Sequence, residues 1–311
     1  KNLLRIRMTE LKISVEYSKQ KMRCPVHLSI GQEAIAAPLK VLLTKKDIVV
    51  SGHRAHAHYI GKGCNLEKFI FELYLKEKGF SRGKAGSMHL FDKKNGFYGS
   101  SPIVANSIPL GVGMGYYNKI NKIDNVVLIF FGDGATEEGV FYESLNFAAI
   151  HNLRVLFICE NNFYSVYTHL KDRQPKDREF YKLANSLGAK GYRFRQDNPF
   201  KLFKELKKIT EKVRKNPFPH FVEIKTYRYL EHCGPDDDTK LGYRTNSELK
   251  KWKKNDTINF SANYLVKKKI MTKEKIFKLD QEVKKQIDSD FDSMKRLRSP
   301  KFKDIVKLTY R

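Results

Sequence analysis

Val126-Val127-Leu128-Ile129-Phe130-Phe131, running into Gly132-Asp133-Gly134-Ala135, and then Val155-Leu156-Phe157-Ile158-Cys159, running into Glu160-Asn161-Asn162, decide the fold. Each apolar run is continuous rather than alternating, which suits a central parallel strand covered on both faces. Between them a helical pattern extends from about Glu138 to Ile150. Strand, helix, strand at this spacing is a βαβ unit, so the two strands run parallel and end on the same edge. The expected class is therefore α/β, with a mostly parallel central sheet flanked by helices. Open parallel sheets take ligands beyond the carboxyl ends of their strands. Asp133 and Asn162, 29 positions apart, fall at two such ends.

A carboxylate beside a carboxamide oxygen offers two hard ligands for Mg²⁺ or Ca²⁺ and leaves positions for phosphate oxygens and water. The glycines around Asp133 let backbone N–H groups face a phosphate, and the helix that follows could add its positive end. The glycine fingerprint of a dinucleotide site is absent after a strand. Its nearest approach, Gly111 to Gly115, lies in a helical pattern that starts near Pro109. Taken singly, Asp133 is also an ordinary turn residue and Asn162 an ordinary strand-end cap; their joint placement after consecutive strands is what points to a metal-bound diphosphate.

The chain has 311 residues, enough for one large α/β domain or two smaller ones, and a formal charge of +26 from 60 Lys and Arg against 34 Asp and Glu. The basic runs Lys207-Lys208, Lys251 with Lys253-Lys254, and Lys267 to Lys269 fall in helix-like or linker segments, where a solvated face is the simplest reading. No specific nucleic-acid partner is expected from so dispersed a charge. Without a membrane-length apolar stretch or a signal-peptide pattern, a soluble, cytoplasmic protein is expected. Cys24, Cys64, Cys159 and Cys233 are too far apart for a close metal-binding pair.

Outward from the central unit, Leu3 to Gln20 reads as an amphipathic helix, interrupted by a basic stretch around Lys21 and Arg23. A second helical pattern follows from Gly31 to about Leu43, then a strand at Asp47 to Val50 that ends in the polar loop Gly52-His53-Arg54-Ala55-His56. Residues 79–102 lose periodicity and collect glycines, a length of loop that suggests a binding role. Further strands are expected at Gly191 to Arg195 and His220 to Ile224, with helices between and mainly helices after residue 245. His53, His56, His89 and His232 lie in glycine-bearing loops. One domain at 1–245 with a helical extension at 246–311 packed on it is the economical division.

The ordered set HLSIGQEA from His27, HRAHAHYIGKG from His53, GSMH from Gly86, IPLGVGMG from Ile108, GDGATEEGVFYESLNFAA from Gly132 and ENNFY from Glu160 resembles the alpha subunit of the thiamine diphosphate-dependent decarboxylating component of 2-oxo acid dehydrogenase complexes, including related acetoin-cleaving enzymes. The resemblance runs from about Val26 to Tyr243. It implies a thiamine diphosphate-binding fold in which Asp133, Asn162 and the backbone carbonyl of Tyr164 hold Mg²⁺, Gly134 and Ala135 lie against the diphosphate, and Arg54 binds its oxygens. His53 stands where many members have tyrosine, and imidazole can still donate to phosphate. The aminopyrimidine ring is expected against main-chain groups of Ser101 to Ala105, with Val104 N–H as donor. Pro102, where glycine is usual, keeps only its carbonyl. His232 matches a histidine of a mobile active-site loop and His27 one near the substrate end; both are expected to be catalytic.

The function implied is decarboxylation of a 2-oxo acid and transfer of the acyl group to a lipoyl carrier on an acyltransferase partner. A beta subunit supplies the glutamate that protonates the pyrimidine, and because this chain ends before such a domain it is expected to be half of an active site, in an α₂β₂ assembly. Acetoin cleavage is the alternative; transketolase-like ketol transfer and a non-catalytic scaffold are more distant ones. Cys233 follows His232 where mammalian pyruvate enzymes carry a regulatory serine, and Asp236 to Asp238 makes that loop acidic. Phe97, Tyr98 and Ser101 suggest a mixed polar and aromatic substrate pocket. Helix packing through Leu110 to Gly115, at a subunit interface or internally, is a further expectation.

Overall fold

The computed structural model describes residues 1–22, 24–301, 303, 304 and 306. Arg23, part of the expected basic interruption, lies outside the described residues; the first helix spans Asn2–Tyr17. Eight strands follow in chain order: β1 Ile48–Ser51, β2 Phe97–Ser100, β3 Val127–Gly132, β4 Val155–Asn161, β5 Tyr164–Ser165, β6 Thr168–His169, β7 Lys190–Arg195 and β8 His220–Lys225. Six of them make one sheet in the order β2-β1-β3-β4-β8-β7, parallel throughout, while β5 and β6 form a small antiparallel hairpin.

The continuous apolar runs follow from double-sided burial. Leu128, Phe130, Leu156 and Ile158 face a core shared with the N-terminal helices. Val127, Ile129, Phe131, Val155, Phe157 and Cys159 face the opposite core with Phe141 and Leu145 of the helix Gly139–Ile150. Successive residues point to opposite faces of a strand, so only apolar side chains at every position fill both layers. The helix Ser107–Ile120 lies close on β1 and β3. A methyl at Gly111 would sit 2.4 Å from Ile129, and one at Gly115 2.6 Å from Val155, whereas Gly113 faces open space. Internal packing therefore accounts for two of these glycines.

Two expectations change. The pattern from Gly31 to Leu43 forms two short helices, Glu33–Ala36 and Leu39–Leu42, interrupted at Pro38, as proline dictates. The aperiodic segment 79–102 contributes β2 to the sheet edge, hydrogen-bonded to β1. Its glycine-rich beginning is organised by Glu72, whose buried carboxylate accepts the N–H groups of Ser81 (2.9 Å), Gly83 (3.1 Å) and Ala85 (2.7 Å). That part of the loop has a structural task.

After residue 245 the chain is helical, and the helix Lys273–Met294 packs on Asn2–Tyr17 and Leu66–Leu73. The helix Asn246–Lys254 reaches back to the sheet's carboxyl edge. Its Trp252 stacks on Tyr227 at 5.4 Å, and its Glu248 accepts the Tyr164 hydroxyl at 2.8 Å. The lysine runs are exposed as expected. Among the described residues no helix is long and apolar enough to cross a membrane, and the four cysteines are all free.

Candidate active site

The chain leaves β1 toward β2 on one side and then crosses to β3 on the other, so the crevice between the ends of β1 and β3 is the topological switch point of the sheet. A cavity of about 470 Å³ opens there. The parallel registers bring Ser51 level with Phe130 and Gly132 level with Glu160, so the residues just past β1, β3 and β4 stand side by side on its wall. His27, Gln32, His53, Arg54, Pro102, Val104, Asp133, Gly134, Ala135, Asn162, Tyr164 and His232 all line it. The residues expected to hold the metal and the diphosphate, and the two histidines expected to be catalytic, thus reach one cavity.

Asp133 opens a 3-10 turn, Asp133–Glu137, that precedes the helix beginning at Gly139. The backbone groups nearest the strand end therefore belong to the turn, not to the helix terminus. Asp133 is only 1% exposed. Burial pushes its carboxyl above the ordinary aspartate range, opposed by the Arg173 guanidinium, which pairs with both Asp133 and Glu137. Asn162 Oδ1 accepts the Tyr164 N–H at 3.1 Å and its Nδ2 meets Gln32 Oε1 at 3.4 Å. The β5–β6 hairpin folds directly over the turn, so a methyl at Gly134 would stand 2.6 Å from Ser165 Oγ. A larger residue there would have to push the Ser165 side chain aside.

Arg54 is the second buried charge. Nη1 donates to Leu28 O (2.7 Å) and Nη2 to His232 O (3.0 Å); among the described residues no carboxylate pairs with it. Burial, followed by the field of Arg228, lowers its pKa to about 10, so it stays charged at neutral pH. Around it stand His27, His53 and His232, with ring centroids 4.5, 5.1 and 5.4 Å apart. Burial first, and Arg54 second, lower their pKa values to about 2, 4 and 3 respectively. All three rings are neutral at pH 7.

The opposite wall is the segment Pro102 to Ala105. It is fixed by Ile103 N–H and Asn106 Nδ2 donating to Ser101 Oγ, at 3.2 and 2.9 Å, which leaves the Pro102 carbonyl and Val104 N–H outside that set. Ala105, Phe163 and Val166 have φ of 63°, 71° and 52°. Left-handed backbone at non-glycine residues is strained, most of all at a β-branched valine, and such strain gathers at functional sites.

Other expectations separate here. His56 is buried away from the cavity, 3.1 Å from Glu10 and 2.7 Å from Ser87 Oγ, and His89 is exposed. Phe97, Tyr98 and Ser101 are not on the cavity wall; Phe97 is fully buried against Tyr59. Glu160 and Ser51, unassigned by the sequence reading, are linked through His58, which lies 2.9 Å from Ser51 Oγ and 3.2 Å from Glu160 Oε1. The signal for Glu160 was its place one residue before Asn161 at the same strand end. Arg173 carried no signal, because it reaches Asp133 across 40 positions from the short helix Leu170–Arg173.

A sequence model described as "Dehydrogenase E1 component" matches residues 1–303. Among curated proteins, "Pyruvate dehydrogenase E1 component subunit alpha" of Rickettsia typhi is 35% identical over 287 residues, covering 92% of this chain and 87% of that protein. The protein of the same name from Rhizobium meliloti is 33% identical, covering 91% and 81%. The mitochondrial one of Dictyostelium discoideum is 34% identical, covering 88% and 71%.

Proposed function

The chain belongs to the dehydrogenase E1 component family, together with pyruvate dehydrogenase alpha subunits, and from that premise we propose that it is the alpha half of a thiamine diphosphate- and Mg²⁺-dependent enzyme. In this reading it decarboxylates a 2-oxo acid, pyruvate or a close relative, and passes the acyl group to a lipoyl carrier. One observation carries the proposal: Arg54, a buried cation without a carboxylate partner among the described residues, shares a cavity with a buried carboxylate, Asp133. Arg54 asks for an anion, and Asp133, already paired with Arg173, is a hard oxygen donor that a metal carried by that anion could share, as a metal-bound diphosphate would.

The donor set fits. Asp133, Asn162 and the Tyr164 carbonyl are hard oxygen ligands, the class Mg²⁺ prefers. The Arg173 guanidinium at Asp133 stands where positive charge is wanted. Bound, the thiazolium of the cofactor supplies the electron sink for loss of carbon dioxide.

The chain's own residues do the rest. Arg54 grips diphosphate oxygens, Gly134 and Ala135 admit them close to the backbone, and the Pro102 carbonyl with Val104 N–H orients the pyrimidine. His27 and His232, neutral at pH 7 with pKa values pushed down to about 2 and 3, offer hydrogen bonds to the substrate end and not a proton store. A beta subunit completes the walls and excludes water, and a lipoyl acyltransferase receives the product.

Reconstitution with the partner beta subunit, assayed on a panel of 2-oxo acids and acetoin with an artificial electron acceptor, tests this. We expect turnover of a 2-oxo acid that needs both thiamine diphosphate and Mg²⁺. Cleavage of acetoin alone would reassign the substrate. A reconstituted pair that binds no thiamine diphosphate by calorimetry would end the proposal.

A further inference from the structure

We propose that Gln32 is a further binding residue, its side-chain amide donating from Nε2 to a phosphate oxygen of the bound anion, a role that rests on the reading of this cavity as a diphosphate site. It adds a neutral, directional donor to the charged one, Arg54. Gln32 lines the cavity and is 1% exposed. Its Nε2 is buried with no hydrogen-bond partner, and a buried donor left unmet is costly enough to call for an explanation.

The neighbouring bonds fix which end of the amide is free. Tyr164 N–H can only donate, so Asn162 turns Oδ1 toward it at 3.1 Å. That leaves Asn162 Nδ2 facing Gln32 at 3.4 Å, where only Oε1 can accept. The unpartnered end is therefore Nε2, an NH₂ group that donates and does not accept. His27 Nδ1 is likewise unpartnered on this wall, but a neutral imidazole nitrogen donates or accepts according to its tautomer and makes no single demand.

The turn that carries Gln32 is braced from several sides. Gln32 N–H donates to Ser29 O and Tyr229 N–H to Ile30 O, both at 2.8 Å. Gly31, at a φ of 97°, donates its N–H to Glu33 Oε1 at 3.0 Å and accepts Gln196 Nε2 at its carbonyl. Glu33 is paired in turn with Arg7. A donor on so fixed a turn loses little freedom when its acceptor arrives. Arg54 is tied to the same segment through Leu28 O at 2.7 Å, so charge and direction come from one wall.

The full chain with its partner subunit, given thiamine diphosphate and Mg²⁺, is tested by calorimetry and by phosphorus-31 NMR of the bound diphosphate. In Gln32→Met, which removes the donor and keeps the length, affinity should fall at least about tenfold, the scale of one hydrogen bond to a charged group, and the bound resonances should move at saturation. The unfolding midpoint of the ligand-free protein should stay near wild type, because one unmet donor, Gln32 Nε2, is exchanged for another, Asn162 Nδ2. Gln32→Glu keeps an acceptor for Asn162 and turns a carboxylate on the anion. It should weaken binding more than Gln32→Met, and it tests the same donor should the methionine variant not fold. Unmoved resonances and unchanged affinity in both variants would overturn Gln32 as a binding residue and leave the cofactor reading standing. Weaker binding with unmoved resonances would make it a structural support of Asn162 and overturn it as well. Absence of a bound phosphorus signal in the wild-type pair would end the cofactor reading and this role with it.

Discussion

Two clusters of buried arginine lie near the carboxyl edge of the sheet, and they are opposites. Around Asp238 the charges close on one another. Arg228 donates to Asp238 Oδ2 (3.1 Å), Leu230 O (2.8 Å), Val166 O (2.8 Å) and Tyr243 Oη (2.7 Å). Arg244 Nε donates to Asp238 Oδ1 (2.7 Å), and its Nη atoms to Arg228 O (2.8 Å) and Leu230 O (3.0 Å). Burial alone would raise the Asp238 carboxyl, but the Tyr243 hydroxyl and the two guanidiniums hold it below the ordinary range. Around Arg54, by contrast, the partners are carbonyls and neutral rings, and the charge looks into a cavity. Burial of charge is common to both regions; an unmet demand for a counter-charge belongs to one. The closed cluster also serves the open one, because Arg228 holds the carbonyl of the strained Val166 on the cavity wall.

Substitutions that remove one partner in each region should break this contrast in different observables. Asp238→Asn leaves two buried guanidiniums without their carboxylate and should cost about 3–5 kcal/mol in denaturant unfolding. Asp133→Asn should leave unfolding near wild type but weaken Mg²⁺-dependent thiamine diphosphate binding on the order of 100-fold or more by calorimetry, since even outer-shell losses reach that range. Equal affinity would show that Asp133 is a turn residue and nothing more.

Acid separates the regions as well. The folded pKa values of His27, His53 and His232 lie below their ordinary 6.5, so the unfolded chain takes up more protons and stability falls as pH drops from 6.5 toward about 4. Asp238 is depressed below its ordinary 3.8; its contribution is complete above that value and is lost only at lower pH. His53→Phe should flatten the upper limb of the stability profile by up to about 1.4 kcal/mol per pH unit, measured by urea unfolding between pH 4 and 7, and leave the lower limb alone. The smallest effect is expected for Arg173→Gln, which frees Asp133 from its internal cation. The Mg²⁺ half-saturation for cofactor binding should improve by a few-fold at most, because one competing cation leaves the carboxylate while its burial remains.

The central βαβ unit was legible because its signal is local: two continuous apolar runs at the right spacing admit few topologies. The adjacency of Asp133 and Asn162 followed from it, since parallel strands in register must end together. β2 was hidden, because Phe97 to Ser100 is a short edge strand, and glycines on both sides mask its pattern. The helix break at Pro38 was written in the sequence but outweighed by the apolar pattern around it. Asp236 to Asp238 read as an acidic loop, yet Asp238 is a core residue while Asp237 only caps Thr239 N–H at 2.8 Å. Neighbouring identical letters acquired different roles through packing.

By itself, then, the sequence determined the parallel sheet, the edge on which polar residues gather and the neighbourhood of Asp133 and Asn162, because periodicity and register act over tens of residues; the other cavity residues were expected from the family resemblance. Tertiary structure alone decided which buried charges are answered. Arg54 meets His232 across 178 positions, and Arg173 reaches Asp133 across 40. Whether a guanidinium finds a carboxylate there depends on how separate loops pack over the strand ends, and Coulomb energy in a poorly solvated interior is set by that distance and not by spacing along the chain.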